Sequence, residues 1–325
     1  MKHHWLILTI TFLMFSHPAK SLSEEITVNA SPVKAFDPAN PDKNRFGKLE
    51  FLGGLVLTSD HQEFGGFSGL RFTGNTGEFV AITDKARVLT GKLIRKDGKP
   101  VNFQNTHLTR IKAANGKTIT GADDKDAEAL EITADGFVVS YERNDRVIYF
   151  DMKERTLITK KQDAVLDMNP LGFPNNSGPE AIARDPESGK LFAIAELAVN
   201  EKGNHRGFVV SGNKIEREFE VVLKDSYSIT DAAFMPDGDL IVLERYYNPL
   251  TGVFMKMRRI NRSRLSGPSF DGETLVEANN SFEIDNMEGL AISEMDDGST
   301  RLTVISDDNF SGRQRTLLLE FRLLD

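Results

Sequence analysis

Acidic residues recur in this chain at two fixed places in a repeating pattern, and carboxylates gathered by a repeat can hold a hard cation or help to activate water. The first place opens the pattern acid, small, apolar, any, apolar. It occurs as Glu128-Ala129-Leu130-Glu131-Ile132, as Glu180-Ala181-Ile182-Ala183-Arg184 (departing at its last position), as Asp231-Ala232-Ala233-Phe234-Met235 and as Glu288-Gly289-Leu290-Ala291-Ile292. An earlier copy, Ser68-Gly69-Leu70-Arg71-Phe72, has serine at the acid position, and from Ser68 the copies follow at intervals of 60, 52, 51 and 57 residues. The second place closes the apolar run after each copy, at Asp84, Glu142, Glu196, Glu244 and Asp307. All-oxygen donor sets favour Ca²⁺ or Mg²⁺ over softer metals. Glu142, Glu244 and Asp307 are the metal-ligand candidates. Arg143 and Arg245, each directly following an acid, could clamp a phosphate with two parallel hydrogen bonds.

The elements that must carry these residues are short strands. Each copy leads into a turn such as Asp135-Gly136, Asp237-Gly238 or Asp297-Gly298, then into a run rich in β-branched and aromatic residues. Asp-Gly suits tight hairpins because glycine accepts positive φ without steric cost. Third and fourth strands follow at 146–152 and 157–161, and again at 207–211 and 218–224. Four antiparallel strands in roughly 50 to 60 residues make a propeller blade. The last unit has only a third strand, at 315–323, so a strand at 48–57 is expected to supply its fourth and close the ring. The fold expected is a single all-β propeller of five four-stranded blades, with room for a sixth in the long first interval.

In a propeller the first strand of each blade lines a central channel and the second runs back beside it. The start of the one and the end of the other then share a face. Nine carboxylates and Ser68 are therefore expected at one channel mouth. At 4 Å and an effective dielectric of 20, two such charges repel by about 4 kcal/mol. A bound cation, pairing with Lys85, Arg143 and Arg245, or raised carboxyl pKa values could each offset this. The alternative is architectural. An acid at a strand start can accept hydrogen bonds from the next blade's backbone, and a motif present in every blade need not be catalytic.

Composition bounds the rest. The 325 residues carry 40 Lys+Arg, 48 Asp+Glu and no cysteine, which excludes disulfides, thiolate-metal sites and a cysteine nucleophile. The net charge of −8 disfavours nucleic acid and anionic membranes as partners. The basic run Lys256, Arg258, Arg259, Arg262 and Arg264 is expected to be a solvated face. Residues 1–23 have a basic start, an apolar run from Trp5 to Phe15 and small polar residues after it. That is the pattern of a cleaved signal peptide, too short for a typical membrane span. The expected destination is the periplasm or the medium. Residues 24–45 are expected to be a surface lead-in and 46–325 the propeller. Ser68 falls short of a G-x-S-x-G nucleophile elbow because Leu70 stands at the last position. His61, His107 and His205 lack metal-site spacing.

Several of these segments together resemble a known family. Phe64-Gly65-Gly66-Phe67-Ser68-Gly69-Leu70, Gly178-Pro179-Glu180-Ala181-Ile182, Asn286-Met287-Glu288-Gly289-Leu290-Ala291 and Ser306-Asp307-Asp308-Asn309 are similar to the phytase-like domain family, named for the esterase-like activity of phytase. The resemblance spans about 46–323. It implies an exported β-propeller hydrolysing a phosphate or other ester, with Ca²⁺ held by acidic residues and phosphate by Lys and Arg. A propeller that binds a small ligand or a protein partner without turnover is the alternative. Fold alone does not decide between them.

Overall fold

The computed structural model describes residues 23–160, 165–174 and 177–324, and the signal-peptide reading falls on residues 1–22, outside them, apart from Ser23. Five antiparallel sheets form a ring, each with its innermost strand at the centre. The inner strands are Phe67–Phe72, Ala127–Thr133, Pro179–Arg184, Ser228–Phe234 and Asn286–Glu294, in blades 1 to 5. The second strands are Glu78–Thr83, Gly136–Tyr141, Leu191–Val199, Leu240–Asn248 and Thr300–Asp307. The long first interval holds no sixth blade. Its extra length goes into the 12-residue outer strand Lys99–Arg110 and the loop after it.

The chain ends meet in blade 5. Leu49–Thr58 pairs antiparallel with Thr316–Leu323, from Leu49 opposite Leu323 to Leu57 opposite Thr316. The expected lead-in is woven into the ring. Ser23–Glu25 extends blade 1 by pairing with its outer strand, and Asn29–Val33 pairs with Leu49–Thr58. Phe36, just beyond, is fully buried.

Five apolar layers hold the ring, one between each pair of neighbouring blades. Val80 and Ile82 of blade 1 pack with Leu130 and Val139 of blade 2, and Leu290 and Leu302 of blade 5 with Ile241 and Leu243 of blade 4. The alternation of the strands produces this, since each sheet must bury both faces. The small residue that follows the acid in the repeat also has a cause. A Cβ at Gly69 would stand 3.0 Å from the Leu130 nitrogen, and one at Gly289 would stand 3.2 Å from the Leu70 nitrogen. Inner strands of adjacent blades run too close for larger side chains there.

The basic run expected to face solvent is partly buried. Arg258 is fully enclosed and ion-paired with Glu244, while Lys256 is enclosed near Asp225.

Candidate functional site

A β-bulge in each inner strand aims the repeat's acids. Every inner strand slips by one residue against its neighbour, and the residues left unpaired are Ser68, Glu128, Glu180, Thr230 and Glu288. A bulge re-aims a side chain and ends the regular ladder. The second strand then delivers, one residue past the partner of the pre-bulge position, Asp84, Glu142, Glu196, Arg245 and Asp307.

Blade 4 therefore departs from the expectation by one residue. Its bulge residue is Thr230, which puts Asp231 at the small position. Its mouth residue is Arg245, which leaves Glu244 pointing the other way. A one-residue slip exchanges the two faces of a strand. Glu244 occupies the position filled by Thr83, Tyr141, Ala195 and Ser306 elsewhere, and is fully buried. The Arg258 guanidinium donates to it at 2.7 and 2.5 Å. Glu244 is thus no part of the mouth.

Asp231 lies deeper in the channel. Arg71 reaches across from blade 1, and its Nη1 and Nη2 donate to the Asp231 carboxylate at 2.8 and 3.0 Å. The same guanidinium donates to the carbonyls of Leu70, Ile182, Ala232 and Leu290 and, through Nε, to Glu131. One side chain so joins all five blades beneath the mouth. Asp231 also accepts from the Leu290 N–H at 2.7 Å. Burial pushes its carboxyl up to about 6, with Arg71 opposing.

The other candidates come together. Ser68, Asp84, Glu128, Glu142, Arg143, Glu180, Glu196, Arg245, Glu288 and Asp307 line one open cavity of about 900 Å³ at the channel mouth, joined by Asp126 and Asp285. Seven of the nine expected carboxylates are among them. Desolvation raises the carboxyls first, and like charges add to it. Glu142 and Asp307 are each pushed up to about 7 and Glu288 to about 8. Asp84 reaches about 6, while Glu128 and Glu180 lie well above the usual carboxylate range.

Charge compensation is uneven around the ring. Arg245 Nη2 donates to Glu196 Oε1 at 2.9 Å, and its Nε stands 3.0 Å from Glu288 Oε1. Blade 2 has no such cation at its centre. There Asp126, Glu128 and Glu142 each bring a carboxylate oxygen within 4.8 Å of the others. Arg143, half exposed at the rim, pairs with Asp126 at 2.6 Å. The Gly178 N–H donates to Glu142 Oε1 at 2.7 Å, a tie from blade 2 to blade 3 of the architectural kind. Asp126 escaped the repeat-based reading because blades 1 and 3 have glycine at its position, Gly66 and Gly178. The alternation Asp126-Ala127-Glu128 is the sequence signal that could have found it.

A family model described as phytase-like, esterase-like activity of phytase, matches residues 62–310. The chain belongs to that family. No curated protein matches it. Solved structures similar to this phytase-like chain include a hydrazine synthase of Kuenenia stuttgartiensis, at 12% identity and TM-score 0.41 over 92% of this chain and 81% of that one. A glucose dehydrogenase matches at 12% identity and TM-score 0.44, covering 83% of this chain and 98% of that one. The PQQ-bound aldose sugar dehydrogenase of Streptomyces coelicolor matches at 12% identity and TM-score 0.40, covering 83% and 97%. Likeness at this level carries no argument about what the phytase-like mouth binds.

The histidines lie elsewhere. His61 faces Glu24 at 3.4 Å, His107 is half-buried beside Arg155, and His205 is buried with Nε2 3.0 Å from the Tyr227 carbonyl. None lines the mouth cavity. No helix among the described residues is long and apolar enough to cross a membrane.

Proposed function

We propose that this phytase-like propeller is an exported, divalent-cation-dependent hydrolase of anionic esters, phosphate esters foremost, with its cation on Asp126, Glu128 and Glu142. The observation that carries this is the close approach of those three carboxylates, within 4.8 Å, on a side of the mouth away from Arg245, where Arg143 pairs with Asp126. The donor set fits a hard cation such as Ca²⁺, being all oxygen and held by strand ends rather than by a long loop. When bound, such an ion polarises a phosphoryl or carbonyl oxygen and makes a coordinated water more acidic.

The chain's own residues supply the rest. Arg313, exposed on the same cavity and outside the ion pairs found among the described residues, can receive the anionic part of a substrate, whereas Arg143 at the rim is held by Asp126. Arg245 is not available as the phosphate clamp, because its guanidinium is ion-paired with Glu196 and Glu288. Glu180, kept protonated well above the usual range by burial and neighbouring carboxylates, can give its proton to the departing oxygen. Ser68 is enclosed and has no histidine partner at the mouth, which argues against a serine nucleophile.

Mature protein, stripped with EDTA, is to be assayed on p-nitrophenyl phosphate, phytate and p-nitrophenyl acetate with and without Ca²⁺ or Mg²⁺. The expected result is turnover of a phosphate substrate only with the cation, lost in Asp126→Asn. Absence of turnover on a broad ester panel, with cation binding intact, would favour a second reading: a propeller that binds a ligand through the cation without cleaving it. The absence of any histidine at the mouth is the observation on that side. Export rests on the N-terminal pattern, and detection of the mature chain beginning near residue 22 or 24 in a periplasmic fraction tests it.

A further inference from the structure

The mouth has two rings of pseudo-equivalent positions, and blade 4 breaks both. In the bulge ring, blade 4 has Thr230, whose hydroxyl donates to the Met287 carbonyl at 3.0 Å. In the strand-end ring, four blades supply Asp84, Glu142, Glu196 and Asp307, and blade 4 supplies Arg245. The side chain of Arg245 does not project toward solvent. It bridges a strand-end acid of one neighbour, Glu196 of blade 3, and the bulge acid of the other, Glu288 of blade 5, at 2.9 and 3.0 Å. Those are the same two kinds of position, strand end and bulge, that blade 2 brings together in Glu142 and Glu128.

We propose that the Arg245 guanidinium is a built-in cation occupying a second cation site of the mouth, so that the chamber admits a single external divalent ion and would admit two without it. Its surroundings match that role. Glu288 and Glu196 act on it most strongly, and Glu180 and Asp307 add to the field. Side-chain exposures of 23% for Arg245, 8% for Glu196 and 13% for Glu288 place the group inside the chamber, where screening by water is reduced. Removing the guanidinium leaves Glu196 and Glu288 without the cation that now bridges them. Arg245 is accordingly a specificity residue for ion number, and by blocking the blade 3 to 5 side it directs an incoming ion toward Asp126, Glu128 and Glu142. Only the location of the first ion rests on the function proposed above. The occupancy of the second site by Arg245 does not.

The test counts ions. Wild type, Arg245→Gln and Arg245→Lys are stripped with EDTA and titrated with Ca²⁺ by calorimetry, with Tb³⁺ luminescence as a parallel count. The expected stoichiometries are one for wild type, two for R245Q and one for R245K, whose ammonium keeps the site filled. R245Q is also expected to melt lower than wild type in EDTA and to recover in millimolar Ca²⁺. An R245Q count equal to wild type overturns the proposal, as does failure of Ca²⁺ to restore its fold or melting temperature. A wild type that binds none with an R245Q that binds one sustains the role of Arg245 and removes the triad site. Binding by neither removes both.

Discussion

Replacing Arg71 by methionine probes the ring at its centre. The guanidinium is enclosed, pairs bidentately with fully buried Asp231 and touches every blade. Breaking one partner from a buried pair leaves an uncompensated charge and typically costs about 3–5 kcal/mol. Unfolding entropy near 2.1 cal/mol/K per residue gives roughly 0.6 kcal/mol/K for a chain of about 300 residues. The melting temperature should therefore fall by about 5–8 °C. The loss should also depend on pH. In wild type the Asp231 carboxyl already titrates near 6, because burial raises it while Arg71 opposes. Without Arg71 it rises further. A carboxyl whose folded pKa is raised contributes stability when protonated, and that contribution is lost as pH rises from its unfolded value through the folded one. R71M should consequently lose more at pH 8 than at pH 5, by up to about 1.4 kcal/mol for each unit of added shift. The assay is thermal melting at both pH values in EDTA, alongside the double variant R71M/D231N. The double variant should recover much of the loss, because the fully buried carboxylate is removed with its partner, leaving only the less enclosed Glu131. A drop below about 2 °C in R71M, or a double variant as weak as the sum of the singles, would refute the hub.

Four further outcomes separate mouth from scaffold. Glu142→Gln should abolish cation-dependent turnover, at least 100-fold, with a metal-free melting temperature equal to or above wild type, since it removes one of several crowded carboxylates; Glu244→Gln should lower stability by about 3–5 kcal/mol by leaving buried Arg258 only Asp271, at 3.7 Å, as a charged partner, as steady-state kinetics and melting curves together will show. In EDTA, stability should fall as pH rises through 7 to 8, because Glu142, Asp307 and Glu288 have folded pKa values raised to about 7, 7 and 8 and their contribution is present below their unfolded values; millimolar Ca²⁺ should flatten that decline, and an unchanged slope in melting scans would count against a cation at the mouth. Gly66→Ala should cost about 1–3 kcal/mol, because Gly66 has φ +66° and a Cβ there would stand 2.5 Å from Asp84 Oδ1 and from the Phe310 ring; a denaturant midpoint shifted by less than half that would contradict the close packing of this turn.

The repeat told most of the fold because its cause is local. An acid, a small residue and an apolar residue at a strand start are what a bulge, a close inner-strand approach and an inter-blade layer each require. Closure of the last blade by the 49–58 strand was also readable, from one missing strand. Blade 4 was not. Asp231 and Glu244 look like their counterparts in composition, but a bulge sets which of two adjacent residues faces the channel, and nothing in a single strand's sequence locates a bulge. Arg71 was hidden for a related reason. It stands at the pattern's unconstrained position, and its five-blade contacts arise only when the ring closes. Buried Arg258 likewise depends on Glu244 turning inward, a consequence of the same slip.

The pairing of Leu49–Thr58 with Thr316–Leu323 makes the propeller a circle with one non-covalent seam. Bringing those ends together across some 250 residues costs about 5 kcal/mol of loop entropy in the unfolded chain, by the logarithmic dependence on length. The 49–58 strand can pair early with Asn29–Val33, but its other edge must wait for the 316–323 strand to be made. Until then blades 1 and 5 each lack a neighbour, and the layer of Leu55, Leu57, Leu70 and Leu318 between them is open to water. Closure of the ring is thereby deferred until both strands of the seam have been made. Under the export proposed above, a chain threaded through a pore before it folds would gain from a seam that only two such distant strands can close.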